Sequence, residues 1–589
     1  MRVASNERDD DIMIETNEER YDLIIRGGKV FDGLGSAPKV ADVAIKDGKV
    51  AKIAPGIEAP AERVVEAQGH WVMPGMLDIH THYDAEIEVM PGLEESVRHG
   101  VTTVVMGNCS LSTAMGTEEQ LLDIFCRVEN LPRDVLAGWL KDKITWRNLQ
   151  EYYDHLDKVP VGPNVASFLG HSNVRFHVMG LERSLKDHRP SKEEIKKMQG
   201  HVHEALDAGY LGLSIDMLPW HRMDGEAFKG ISIPSQQARG PEYRALAEPI
   251  REREGVLQAT PNAISRQSVV TLAWISSGLG RKPVRTTIVA ALDVKTDPKI
   301  HRLATFAATM TNSVLRGNMR FQALAEPFLV FGDGPIIPFF EELDTGMELI
   351  DSEPAERQRL MNDSGFRARF RKEWESTKEK VFHCNLADMF IVSTPTGEHI
   401  GQSFADAAKS LGKEPLECFL DMLAEWDTGL RWKTSAANDR AHARKYLLGH
   451  KYTLPGFNDS GAHARNMGFQ DGGLQMLKQA IEDPSWISPE EAVKRLTSEP
   501  AEWLGIDAGT LTVGKRADFA VIDPERLKNG LGEPVEHTDE RMGNSMRMVK
   551  RTDGVVKAVG IGGKVAWEDG GFAPELGQER FGQLLKRKN

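Results

Sequence analysis

The sequence is poor in the features that mark several protein classes. Its 589 residues include only four cysteines, Cys109, Cys126, Cys384 and Cys418, without CxxC spacing, which excludes a disulfide framework and a zinc ribbon. No apolar run approaches the roughly 18 residues of a membrane span, and the first residues contain no apolar leader. Lysine and arginine number 73 against 87 aspartates and glutamates, so the net charge of −14 offers no basic surface to nucleic acid. We expect a cytoplasmic protein that binds neither nucleic acid nor membrane.

Short β patterns are present at both ends of the chain. The stretch 21–70 alternates apolar residues with Gly-Gly and Asp-Gly turn signals, and a similar texture returns over 509–572. Because chain ends commonly lie close together, we expect the two stretches to form one small β-sandwich domain. Residues 1–20, acidic and short of apolar groups, are predicted to be a flexible tail, and 573–589 a C-terminal tail.

The middle of the chain, 71–508, alternates apolar strand-like runs with helical stretches. Repeated β-then-α units whose strands are continuously apolar are typical of a parallel (β/α)8 barrel. Within this region, about 331–453 is charged and helical, and we interpret it as an inserted, lid-like segment. The predicted fold class is therefore α/β, a TIM-like barrel with a terminal β-sandwich and a helical insertion.

Two histidines separated by one residue end the run MLDIHTH at 76–82. Residues i and i+2 of a strand face the same side, so His80 and His82 can reach one metal ion at the carboxyl end of the strand. Taken alone, so short a motif is equally typical of two half-buried histidines at a strand end.

The sequence around this motif resembles the amidohydrolase superfamily. GHWVMPGMLDIHTHYD is similar to its opening barrel strand, and GFNDSGAH at 456–463 is similar to its eighth strand. TSEPAEWLGIDAGTLTVGKRADFAVID is similar to the segment by which the family's chain leaves the barrel and rejoins the sheet domain. The resemblance implies that Asp459 binds metal and serves as the general base. Asn-Asp-Ser-Gly is also a turn sequence, which is the structural alternative.

Within the superfamily, the chain most resembles the N-acyl-D-amino-acid deacylases. GVTTVVMGNCS places Cys109 where that family has a metal-binding cysteine, although a lone cysteine is more often a buried small apolar group. FLGHSNVR resembles a motif at the end of the third strand and carries His171 and Arg175. The resemblance implies a divalent metal, zinc, as one or two ions, with the ligands His80, His82, Cys109 and Asp459.

The family's histidines after the fifth and sixth strands have no counterpart here. Those strands read GVLQATPN and TIVAALD. Gln258 and Asn262 are poor zinc ligands, whereas Asp293 would be acceptable. Four further polar residues are candidates to complete the metal site, with a hydrogen-bonded structural role as the alternative for each: His171, Asp216, His221 and His463.

These residues predict a metal-dependent hydrolase of carbon–nitrogen bonds, most like an N-acyl-D-amino-acid deacylase. Asp459 would take the proton of the attacking water, and His171 would help the metal to hold the carbonyl oxygen. A substrate carboxylate requires cationic or donor groups. The candidates for that contact are Arg175, Arg222, Arg465 and His463.

Two alternatives stay open at this point. The same barrel could hydrolyse a cyclic amide, a peptide or an aryl amide, because the family's lysine after the sixth strand has no clear counterpart. The missing histidines also allow a metal-free, non-catalytic scaffold, which the metal content of the purified protein would identify. The resemblance further implies a small-molecule amide substrate and a homo-oligomer.

Overall fold

Parallel strands form the centre of the computed structural model, which describes residues 20–263, 265–376, 380–552 and 554–588. Each barrel strand pairs in parallel with the next along the chain, and the eighth also pairs with the first, as in a (β/α)8 barrel. Most residues of these strands are buried, which explains their continuous apolar sequences. The eight strands, three of them in two parts, are Met76–Asp78 with His80–Thr81, Val101–Met106, Asn164–Ser167 with Leu169–Gly170, Gly212–Asp216, Val256–Thr260, Arg285–Ile288, Asn318–Ala323, and Thr453–Pro455 with Phe457–Ser460.

Helices follow the barrel strands and cover them. Local sequence sets their ends: Ser191 and Glu194 form a capping box before the helix Lys192–Ala208, and Gly209, with φ of 108°, terminates it. Across the described ranges, no helix combines the length and the apolar character needed to cross a membrane. The helices of this region are Glu86–Glu88 (3-10), Glu94–Val97, Glu118–Val128, Arg133–Leu140, Leu149–Leu156, His171–Met179, Leu181–Lys186, Lys192–Ala208, Pro234–Gln237, Gly240–Glu252, Arg266–Ser276, Ile300–Ser313, Ala441–Gly449, Gly472–Glu482, Pro489–Leu496 and Ser498–Leu504.

A nine-stranded sheet takes strands from both ends of the chain. The two ends meet where Trp71–Pro74 pairs antiparallel with Phe519–Ile522, so the sheet continues a few residues past the predicted stretch 21–70. Leu23 and Val43 share one hydrophobic core with Phe519 and Val565, which joins the two ends by packing as well as by pairing. The strands are Tyr21–Val30, Lys39–Lys46, Lys49–Ala54, Ala61–Glu66, Trp71–Pro74, Phe519–Ile522, Val556–Ile561, Lys564–Glu568 and Gly571–Phe572.

An insertion separates the seventh and eighth barrel strands. It was predicted to be helical, but it also contains a three-stranded antiparallel sheet, and its core is rich in aromatic rings such as Phe339, Phe340 and Trp432. Its strands are Leu329–Asp333, Met389–Ser393 and Arg431–Ser435, and its helices are Pro338–Glu342 (3-10), Asp344–Asp351, Pro354–Asn362, Ser364–Trp374, Leu386–Asp388 (3-10), Phe404–Leu411, Pro415–Trp426 and Asp427–Gly429 (3-10).

The last described residues, 573–588, pack onto the barrel. Leu584 and Leu585 are buried, and the backbone N–H of Leu585 donates to the carbonyl oxygen of Val165 on the third barrel strand. The predicted flexible tail at 1–20 lies outside the described residues except for Arg20. Along the chain, four elements lie between the sheet strands Phe519–Ile522 and Val556–Ile561. They are the helix Pro524–Asn529, the paired strands Val535–Thr538 and Met546–Val549, and the 3-10 helix Glu540–Met542.

Candidate metal centre and its cavity

Four ligand-type side chains from three barrel strands converge at one end of the barrel. The Nε2 atoms of His80 and His82 lie 3.3 Å apart, and Sγ of Cys109 lies 3.3 Å from Nε2 of His80. The ligand atoms of these three side chains all lie within 4.8 Å of one another. Oδ1 of Asp459 is 3.6 Å from Nε2 of His80 and 3.4 Å from Nε2 of His82. Two imidazoles, a thiol and a carboxylate around one point form a donor set that suits zinc.

The backbone at this cluster adopts conformations that side chains rarely take. Cys109 and Asp459 have φ of 49° and 52°, in the left-handed region, and His463 has φ of 44°. Gly107 opens the turn to Cys109, where a Cβ would come within 2.1 Å of the carbonyl oxygen of Phe168. Left-handed residues other than glycine concentrate at functional sites, because the surrounding structure must hold them in place.

The fifth barrel strand supports the cysteine. The backbone N–H of Cys109 donates to Oε1 of Gln258 at 3.0 Å, and its Sγ lies 3.2 Å from Oγ1 of Thr260. Burial raises the pKa of the Cys109 thiol to about 11. A nearby cation would reverse this effect, because thiols that coordinate a metal lose their proton.

A buried glutamate orients one of the two histidines. Oε1 of Glu129, at the end of the helix Glu118–Val128, lies 2.8 Å from Nδ1 of His82, which leaves Nε2 of His82 directed at the cluster. Burial disfavours protonation of His82, but the carboxylates of Glu129 and Asp459 outweigh it and raise the pKa of His82 well above its usual value. Among the described residues, Nδ1 of His80 has no such partner, and burial lowers the pKa of His80 to about 3.

The cluster opens into a cavity of about 520 Å³. His221 and Arg222, from the segment after the fourth barrel strand, line it, and Nδ1 of His221 is hydrogen bonded to Oδ2 of the buried Asp216. The insertion contributes Glu341 and Phe382 to the wall. The remaining lining is mainly apolar and includes Val269, Val270, Val289, Ala290, Leu292, Ile300, Leu303, Ala304, Ala307, Phe321 and Phe457.

Comparison with known proteins identifies the family. Two models described as amidohydrolase family match residues 63–252 and 458–566. An uncharacterised protein of Mycobacterium tuberculosis (strain ATCC 25618 / H37Rv) is 40% identical over 579 residues, which cover 96% of this chain and 95% of that protein. The chain belongs to the amidohydrolase family. The predicted superfamily is thereby confirmed, and so is the prediction of a metal-dependent hydrolase that acts on carbon–nitrogen bonds.

Relatives with named activities are more distant. The N-acyl-D-aspartate deacylase of Alcaligenes xylosoxydans xylosoxydans is 28% identical over 572 residues, which cover 96% of this chain and 95% of that protein. The crystal structure of a D-aminoacylase matches at a TM-score of 0.62 and 20% identity, covering 96% of this chain and 100% of that one. The N-acyl-D-glutamate deacylase of Bordetella bronchiseptica, complexed with zinc and a phosphonate inhibitor, gives the same values. These structures confirm the predicted fold class.

Three residues predicted to act on the substrate form contacts away from the cavity at the metal cluster. Nε2 of His171 lies 3.0 Å from Oε1 of Glu242, and Nε of Arg175 donates to the same oxygen at 2.9 Å. Nε of Arg465 donates to Oδ2 of Asp333 at 2.7 Å. The three lie outside the lining of the cavity at the cluster, so nothing in the geometry connects them with the substrate, and their roles stay predictions. His463 does line that cavity.

The structure shows which residues stand at the ends of the fifth and sixth strands, where the resemblance predicted histidines. Gln258 and Thr260 support Cys109 instead of offering an imidazole. Asp293, named as an acceptable ligand, forms an ion pair with Arg440 outside the cavity lining, and its role as a ligand stays a prediction. Of the three arginines considered for a substrate carboxylate, Arg222 lines the cavity at the cluster.

Sequence reasoning missed the amidohydrolase's supporting carboxylate. Glu129 lies 47 positions after His82 at the end of an amphipathic helix, where a glutamate carries no motif. Its burial beside His82 depends on how the helix after the second strand folds back over the barrel. No pattern within the sequence signals such a contact.

Proposed function

We propose that this amidohydrolase releases D-amino acids from N-acyl-D-amino acids, using one divalent metal ion, zinc, bound by His80, His82, Cys109 and Asp459. The observation that carries the proposal is the convergence of these four donors at a largely apolar cavity. The same convergence speaks against a metal-free scaffold.

The donor set fits one ion. Among the described residues, the cluster of ligand atoms close enough to share an ion is His80, His82 and Cys109, with Asp459 beside the two histidines. At the ends of the fifth and sixth strands, the corresponding places hold Thr260 and apolar residues. When bound, the metal would supply Lewis-acid activation of water and of the amide carbonyl.

The protein's own groups would carry the proton and orient the amide. Burial would raise the pKa of Asp459, but the imidazoles of His82 and His80 lower it, so its carboxylate stays ionised and can accept the proton of the attacking water. Asp459 would then pass this proton to the leaving nitrogen. His221, held by Asp216 and facing the cavity, would donate to the developing oxyanion, the role that the sequence assigned to His171.

Arg222 would bind the substrate carboxylate. One of its terminal nitrogens donates to the carbonyl oxygen of Gly230 at 2.9 Å, and its buried Nε has no hydrogen-bond partner among the described residues. The similarity to a relative named N-acyl-D-aspartate deacylase supports a substrate with a free carboxylate.

A second candidate substrate is an amide without a free carboxylate. Glu341 lines the same part of the cavity as Arg222. Burial raises the pKa of Glu341 to about 7, and the nearby Arg127, His221 and Arg222 limit the rise. When ionised, Glu341 would offset the charge of Arg222 and weaken its attraction for a substrate anion.

The test combines metal analysis with a substrate panel. Wild type, His80→Ala and the control His177→Ala, which removes an exposed histidine outside the cavity, are assayed on paired N-acetyl-D- and N-acetyl-L-amino acids. The proposal expects metal in wild type and control, loss of metal in His80→Ala, and amino-acid release from the D series. Metal binding with release from neither series, and turnover of uncharged amides instead, would favour the second candidate. A wild-type protein without metal would contradict the proposal.

A further inference from the structure

We propose that the amide hydrolysed here carries a long unbranched acyl chain, which runs from the metal cluster along an apolar channel to an opening between two barrel helices. The channel is the part of the cavity walled by the helices Arg266–Ser276 and Ile300–Ser313. This inference rests on the proposed function, because it assigns the acyl half of an N-acyl substrate to that channel.

Both helices present one face to the channel. Ile300, Leu303, Ala304 and Ala307 line it, with the spacing i, i+3, i+4 and i+7 that places residues on one side of a helix. Such a face normally packs against the barrel strands. Here Ala304 and Ala307 pack against the core and also line the cavity, and their small side chains keep that space wide.

Much of the polar and of the apolar lining comes from different segments, although Asn262, Ser265 and Arg266, at the start of one channel helix, also line the cavity. The charged and hydrogen-bonding groups Arg222, His221 and Arg127 follow the second and fourth barrel strands. The segment after the sixth strand contributes Val289 and Ala290. This is the place where the resemblance to the deacylases led us to look for a histidine. An amino-acid moiety therefore suits one side of the cavity and an aliphatic chain suits the other.

The channel reaches the surface between the two helices. Val270 and Leu303 line it and are 69% and 38% exposed, so they lie at its opening. Further apolar side chains on the same helices, Trp274 and Phe306, are more than half exposed. An exposed apolar rim continuous with an apolar cavity is typical of a ligand-binding groove. A short acyl group such as acetyl would leave this wall uncovered.

The main experiment varies acyl length with the D-amino acid held constant, from acetyl through butanoyl and octanoyl to dodecanoyl, below the micelle concentration. Burial of each methylene is expected to raise kcat/KM about two- to fourfold, or about sixtyfold or more from acetyl to octanoyl. A profile that is flat or falls with length would overturn the inference.

Two variants test where the acyl chain of the substrate binds. Ala304→Trp fills the channel and is expected to abolish the gain with length, so that octanoyl and dodecanoyl substrates lose the most turnover relative to acetyl. Leu303→Asp charges the opening and is expected to reduce turnover of dodecanoyl more than of butanoyl substrates. Leu411→Asp, a similarly exposed leucine on a helix of the insertion, is the matched control and should keep the wild-type profile. Equal profiles for all three variants would overturn the inference.

Calorimetry with decanoate, a product of the proposed reaction, separates this inference from the proposed function. If decanoate binds to wild type and not to Ala304→Trp while no N-acyl amino acid is hydrolysed, the channel stands and the deacylase proposal fails. If D-selective hydrolysis is independent of length and decanoate does not bind, the deacylase stands and the channel fails. The remaining outcome is a wild-type dimer that becomes a monomer in Leu303→Asp while the dependence on acyl length stays unaltered. It would identify the apolar rim as a subunit interface and overturn the inference.

Discussion

Glu129 allows the metal centre to be tested without changing a ligand. Its side chain is 2% exposed, and its Oε1 lies 2.8 Å from Nδ1 of His82. A carboxylate in this position fixes the ring so that Nε2 faces the metal, and it increases the basicity of the ligand nitrogen. Glu129→Gln keeps an acceptor oxygen but removes the charge, whereas Glu129→Ala removes both.

The expected loss of metal affinity follows from the position of Glu129 beside His82. Loss of such a supporting group typically reduces metal affinity by about 10- to 100-fold, or about 1.4 to 2.7 kcal/mol. Since glutamine keeps a polar oxygen that can face Nδ1 of His82, we expect Glu129→Gln near the lower value and Glu129→Ala near the upper one. Zinc affinity is measured by competition with a chromophoric chelator, together with the zinc dependence of turnover.

A second buried glutamate supplies the matched control. Oε1 of Glu88 lies 2.9 Å from Nε2 of His155, and the Glu88 side chain is also 2% exposed, but neither residue lines the cavity at the cluster. Glu88→Gln therefore makes the same chemical change and should leave zinc affinity unaltered. Wild-type zinc affinity in both Glu129 variants would refute the argument that this carboxylate orients His82 for a metal.

Two further predictions concern stability. The proposed ligands come from the ends of the first, second and eighth strands, so the metal would tie these strands together, and its removal by a chelator is expected to lower the melting temperature. An unchanged melting curve in protein shown to have lost its metal would count against this link between metal binding and stability. Burial favours the neutral form of Glu95, but the positive charges of Arg98, Arg547 and Arg551 outweigh this effect and lower the pKa of Glu95. The folded protein therefore keeps this carboxylate ionised to a lower pH than the unfolded chain does. Its contribution to stability is thus present above the unfolded pKa of about 4.3 and is lost as pH falls towards the folded pKa. Denaturant unfolding of Glu95→Gln should show a deficit against wild type at pH 7 that shrinks by pH 4, and a deficit independent of pH would contradict the assignment.

Parts of the site were accessible from the sequence because they depend on local geometry. His80 and His82 are two residues apart on a strand, and that spacing alone places both imidazoles on one face. Cys109 and Asp459 follow apolar strand runs, and the carboxyl ends of parallel strands meet at one end of a barrel. The alternation of apolar runs and helices likewise predicted the barrel, because burial on both faces imposes that pattern on every strand.

Other parts depend on how distant segments pack, which no local pattern reveals. The insertion was expected to be a helical segment, yet three of its short stretches pair as a sheet around an aromatic core. His171 was given the carbonyl-polarising role and His221 was only a candidate for the metal site, and only the path of the chain turns His221 towards the cavity and His171 towards Glu242.

The sequence by itself predicted a barrel with a histidine pair at the first strand, because strand periodicity and chain order are properties of the sequence, and the resemblance of its motifs pointed to the amidohydrolases. It also showed that the fifth and sixth strands lack histidine. Only the tertiary structure decided what stands in their place: Gln258 and Thr260 hold the cysteine, and Ala290 borders an apolar channel. The reason is physical, since a side chain's role at a strand end depends on which neighbours the closed barrel brings within bonding distance.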